Sequence, residues 1–91
     1  LPESLSYEIE KHHKELVLKE MEIIASVSET SPELIDEVMN TIRVVVSDTI
    51  PLEEQLPDEI GVKAKKEILK EYYDCKYKAL EQISEQYINI N

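Results

Sequence analysis

Residues 57–90 read PDEIGVKAKKEILKEYYDCKYKALEQISEQYINI, and the architecture turns on them. Leu69, Tyr73, Lys76, Leu80, Ile83, Tyr87 and Ile90 follow one another at spacings of 4, 3, 4, 3, 4 and 3. Ile68, Tyr72, Cys75 and Ala79 lie one step around the same cylinder and widen the stripe. A 3.5-residue apolar repeat keeps one helix face turned toward a neighbouring helix over many turns. The pattern predicts a long helix over residues 58–88, with the stripe as its packing seam. Gly61 in its first turns costs about 1 kcal/mol relative to Ala. It marks either a later start or a close approach of another helix.

Upstream, Thr49-Ile50-Pro51 stops a preceding helix, because the residue before a proline is pushed out of the helical region. A short turn over 51–56 follows, with Leu52 and Leu56 spaced to press onto the core together. The helix that ends there opens at Ser31-Pro32-Glu33: an N-cap hydroxyl, a proline at the first helical position and an acid in the first turn. Leu34, Ile35, Val38, Met39, Ile42, Val45 and Val46 give it one apolar side, predicting a helix over 32–49. Val44-Val45-Val46 is β-branched and could read as a strand, but the helical spacing upstream outweighs it. Further back, Leu5, Ile9, Leu16, Val17, Ile23, Ile24 and Val27, with His13 and Met21 alongside, predict a helix over 5–28. Leu18 falls off that stripe and is either exposed or part of a second contact.

The expected fold is all-α: a three-helix antiparallel bundle in a single small domain over residues 1–91. At 1.5 Å per residue the helices would span about 36, 27 and 46 Å, so one end of the third would overhang. The seam continues through Ile83, Tyr87 and Ile90, so that overhang would be apolar. A second copy of the chain is the expected cover, making a homodimer and a larger bundle. A chain of this length buries only about 60–65 % of its unfolded surface, and self-association is a common way to bury more.

Thirteen acids face four bases from Leu1 to Pro57, and seven acids face six lysines from Asp58 to Asn91, for a net charge of −10. The acidic first part would repel a phosphate backbone and an anionic bilayer alike, so no nucleic-acid or membrane partner is expected. The longest wholly apolar run is the three valines, far short of a membrane span, and no secretory signal is recognised. Cys75 is the single cysteine, so no internal disulfide can form, and a reducing, cytoplasmic setting is the simple inference. The chain starts at Leu1 rather than Met, which suggests a domain cut from a longer protein or a trimmed terminus.

Glu8, Glu10, His12, His13 and Glu15 form the one cluster with metal-like chemistry. Glu10 and His13 stand at i, i+3, the unit of di-iron bundles, but such bundles need a second unit that this chain could supply only across a dimer axis. The plainer reading is a surface pair with one histidine half-buried. Cys75 has no histidine within helical reach, and a catalytic thiol needs a base and an oxyanion site. Lys63, Lys66 and Lys70 share a face, with Lys65 close by, and their natural counterpart is the acidic surface of residues 29–59. No catalytic residue, cofactor or metal site is therefore assigned, and the protein is not expected to be an enzyme.

The tyrosines point to contacts. Tyr72, Tyr73 and Tyr77 lie within two turns, on too wide an arc for all to face inward, and Tyr87 follows on the seam. The expected function is a protein-protein interaction and dimerisation module of regulatory or adaptor kind. Its expected interface is Leu69, Tyr72, Tyr73, Tyr77, Leu80, Ile83 and Tyr87. One alternative is an acidic antagonist that occupies a nucleic-acid-binding surface of another protein. The weakest is the metal site around Glu10 and His13.

Overall fold

The computed structural model describes residues 3–47 and 52–88. The described chain is all-α, with no strand: α1 (Glu3–Thr30), α2 (Ile35–Val46), α3 (Leu52–Gln55) and α4 (Val62–Ile88). The three valines close α2 as helix, with Val45 and Val46 half-buried against the core and Val44 in solvent.

The helix boundaries show which local signals count. Before α2, Pro32–Leu34 forms a tight 3-10 turn in which the Leu34 N–H donates to the Ser31 carbonyl at 2.9 Å. Ser31 has the extended φ of a cap (−148°), but its hydroxyl makes no capping bond. The expected cap thus lies one turn ahead of the α-helix, and the backbone carbonyl does the work assigned to the hydroxyl. At the other end Ser47 turns extended while its N–H donates to the Arg43 carbonyl at 3.0 Å. The predicted continuation through residues 48–50 and the stop at Pro51 lie outside the described residues, as does Ile90.

α4 starts at Val62 rather than at 58. The Ile60 N–H closes a turn on the Pro57 carbonyl at 3.2 Å, and the Lys65 N–H then donates to Gly61 at 3.0 Å. Gly61 therefore precedes the helix instead of interrupting it. A Cβ built there would meet nothing within 4 Å, so no close approach explains the glycine.

α1 and α4, at 28 and 27 residues, are each about 40 Å long, whereas the 12 residues of α2 reach about 18 Å. The two long helices make the most extensive contact, and α2 packs on both. α1 contributes Leu5, Ile9, Leu16, Ile23 and Val27 to the buried core. α2 adds Val38 and Ile42, and α4 adds Leu69, Tyr73, Leu80 and Ile83. Each fully buried aliphatic side chain contributes about 1.5–3 kcal/mol relative to exposure. Leu52 and Leu56 press onto this core from the segment around α3. The molecule is elongated, 48 × 21 × 18 Å.

The matched lengths of α1 and α4 remove the expected overhang as far as the description reaches. Ile83 is buried, and Tyr87 and Ile88 pack against the core. The expectation failed because α1 runs two residues further at each end than the expected 5–28, and α4 starts four residues later than the expected 58. Among the described residues, no helix is long and apolar enough to cross a membrane.

Candidate functional site

The seam of α4 is the chain's own interior. Leu69, Tyr73, Leu80 and Ile83 are buried beneath α1 and α2, while Tyr72, Tyr77 and Tyr87 are half-buried at the edge of the same core. Lys76, a charged residue in an apolar row, has a structural reason to be there. Its Nζ donates to the Val46 carbonyl at 2.8 Å, capping the last turn of α2 where a cation also opposes the helix dipole. The same ammonium lies 4.7 Å from the centre of the Tyr72 ring. Its stem fills the seam and its charge ties α4 to α2.

Tyr73 is the centre of a polar cluster. His12 stacks on its ring at 5.1 Å, and His13 and Tyr72 meet it edge-on at 5.3 and 5.2 Å. The Tyr73 Oη lies 2.6 Å from His13 Nε2 and 3.3 Å from Glu53 Oε2. A phenol has one proton, so both bonds form together only when His13 Nε2–H donates to Oη and Oη–H donates to Glu53. His13 Nε2 is also 3.9 Å from the other Glu53 oxygen. This chain of bonds pins α3, through Glu53, to both long helices. It gives the buried tyrosine's polar tip partners, as a buried hydroxyl requires.

A cleft of about 290 Å³ opens beside the cluster, lined by His12, Glu15, Leu16, Lys19, Tyr73 and Tyr77 among others. Lys19 bridges it, 3.5 Å from Glu22 Oε1 and 5.9 Å from the Tyr77 ring centre. At the edge of the α1 core face, burial holds the Glu20 carboxyl above the ordinary carboxylate range by desolvating its charge.

The structure separates the pair that suggested a metal. His13 turns to Tyr73 and Glu53, while Glu10 lines a shallow depression with Tyr7, Lys11 and Lys14. Among the described residues no three His, Cys, Asp or Glu side chains are grouped to hold a metal ion. Cys75 is exposed on α4. Lys63 and Lys70 are exposed, Lys65 and Lys66 half-buried, and no ion pair among the described residues joins them to the acidic surface.

The surface that sequence reasoning mostly missed is the outer face of α1. Tyr7 is 65 % exposed, Val17 50 %, Leu18 56 % and Met21 61 %, and Ala25 continues the row. Tyr7, Lys14 and Met21 are seven residues apart, as are Leu18 and Ala25, so they share one side of the helix. Val17, expected in the inner stripe, and Met21, expected alongside it, both face solvent. The available signal was Leu18, which fits no inward spacing. Other exposed large apolar residues are Met39 and Val44 on α2 and Val62 and Ile68 on α4. Comparison with known proteins returns no match to a family model, a curated protein or a solved structure.

Proposed function

We propose that this chain is a non-enzymatic protein-interaction module whose contact surface is the outer face of α1. The observation that carries the reading is the row Tyr7, Val17, Leu18, Met21 and Ala25, apolar and in solvent along a helix whose opposite face already fills the core. A second apolar stripe on one helix contributes nothing to the chain's own interior, and contiguous exposed apolar patches mark contact sites. The expected interface on α4 is replaced in this reading, because most of its members are spent on the core.

The same proposal takes the architecture to be a three-helix bundle running up, down and up. Its support is the order of contacts: His12 and His13 meet Tyr73, and Lys19 meets Tyr77, so α1 and α4 advance together. The end of α2 at Val46 meets Lys76, about level with that middle zone, as a returning helix would. The lone exposed thiol of Cys75 suits a reducing, cytoplasmic setting.

The test is a photo-crosslinking residue placed at Leu18, with the same residue at Val44 as control, irradiated in the cell that makes the protein. An adduct from position 18 that is absent from position 44 is expected. Equal labelling, or none, from the two positions would remove the reading.

A further inference from the structure

Resting on that reading of α1, we infer that the occupant of its outer face is a second copy of the same chain, packed antiparallel across a two-fold axis beside Val17 and Leu18. The argument is the order of charge along the stripe. On the flank that bears Leu18, exposed Lys11 comes before it and exposed Glu22 and Glu29 come after it, while Glu10 and Lys14, also exposed, offset each other beside Tyr7. A flank that is basic before its midpoint and acidic after it is complementary to its own reverse.

The register follows from helix geometry. Lys11 and Glu22 are eleven residues apart, three helical turns, and so lie on the same flank of the stripe as Leu18. In an antiparallel pair related by a two-fold axis, like flanks meet. An axis near Val17 therefore sets Lys11 of each copy opposite Glu22 of the other. It also lays the Lys14 stem over Met21 and brings Val17 against Val17 and Leu18 against Leu18 on either side of the axis. The interface is isologous, so the pairing of Lys11 with Glu22 occurs twice. Glu22 is accessible for this role: its side chain keeps 66 % of its surface in water although Lys19 lies 3.5 Å away. Desolvated aliphatic groups at the centre with ion pairs at the rim is the arrangement that fixes orientation in helix pairs. One helix-on-helix contact is small beside the roughly 1,200–2,000 Å² of standard interfaces, so the dimer is weak and depends on concentration.

The test is molar mass by light scattering behind a sizing column, from micromolar to near-millimolar chain. The salt is about 0.15 M, which screens the mutual repulsion of two acidic copies. The wild type is expected to rise from 10.6 kDa toward twice that mass. Leu18→Glu is expected to stay monomeric with unchanged helical circular dichroism. Lys11→Glu and Glu22→Lys should each weaken the dimer about three- to tenfold, and the double reversal should restore it. The charge reversals keep the test decisive should Leu18→Glu fail to fold. A wild type that stays monomeric throughout overturns the inference, as does a dimer that neither Leu18→Glu nor the reversals weaken. The two failures remain distinguishable. A monomer that still crosslinks from position 18 to a different protein loses the second copy but keeps the interaction surface, whereas a monomer without that adduct loses both.

Discussion

α1 and α4 are nearly the same length, lie against each other and share one core, yet their outer faces differ. Away from the core α4 shows Lys63, Glu67, Lys70, Glu71, Asp74, Lys78, Glu81 and Glu85, with Ile68 the one large aliphatic there that counts as exposed past its first turn. The outer side of α1 instead carries Tyr7, Val17, Leu18 and Met21 among its charges. One helix is amphipathic in the ordinary sense, and the other is apolar on two opposed sides. Burial in the chain's own core accounts for the first pattern completely. It leaves the second stripe unaccounted for, and that remainder of apolar surface is the observation on which the proposed contact face rests.

The sharpest way to break this contrast is to truncate one leucine on each side of it. Leu80 is fully buried, so Leu80→Ala removes apolar contact and leaves a cavity, at a cost of about 3 kcal/mol. Leu18→Ala, the same chemistry on the outer face of α1, should change monomer stability by less than about 0.5 kcal/mol. Urea unfolding of both variants at low protein concentration measures the difference. Comparable losses would mean that the outer stripe belongs to the fold and not to a partner.

The next effects concern the polar ties at the edge of the α4 seam. Tyr73→Phe keeps the ring stack on His12 but removes the hydroxyl that links His13 to Glu53, for a loss of about 1 kcal/mol. Lys76→Met keeps the stem in the seam but leaves the Val46 carbonyl without its donor, for a similar loss. Amide hydrogen exchange separates the two: the first should loosen residues around α3, the second the last turn of α2. Faster exchange spread evenly over the chain in both variants would show that these ties are not local.

Much of this was legible in the sequence, for reasons that mark its limits. The seam at Leu69, Tyr73, Leu80 and Ile83 is periodic over many turns, and a long period survives errors at either end. Lys76 announced an exception in that row, but its partner is a backbone carbonyl thirty residues away, which no spacing encodes. The His13–Tyr73–Glu53 chain was invisible for the same reason: its members come from three helices. The nearest sequence pairing, Glu10 with His13, offered a metal unit, but the His13 ring is taken up by Tyr73 and Glu53 from other helices. On α1, residues 16–18 are three apolar side chains in a row, and a row of three spans too wide an arc for one face. Leu16 went inward and Val17 and Leu18 outward, a division that depends on where α4 lies. Sequence alone could count the surplus and could not place it.

The smallest effect tests where the two faces of α1 meet. Glu20 is half-buried at that boundary, and desolvation holds its carboxyl above the ordinary range. A carboxyl whose folded-state pKa is raised favours the unfolded chain once it ionises, because the charge is better hydrated there. That cost is absent in acid, where both states are protonated, and complete above the folded-state pKa. Glu20→Gln removes the charge and keeps the shape, so the variant should be slightly more stable than the wild type at neutral pH. The gap should close as pH falls and vanish below about pH 4, where the unfolded carboxyl is protonated as well. Urea midpoints of the two proteins across that range decide the matter. A constant gap, or a wild type that is the more stable at neutral pH, would place Glu20 in solvent and move the edge of the core face. The inner surface of α1 would then be narrower, and the outer stripe would begin closer to α4.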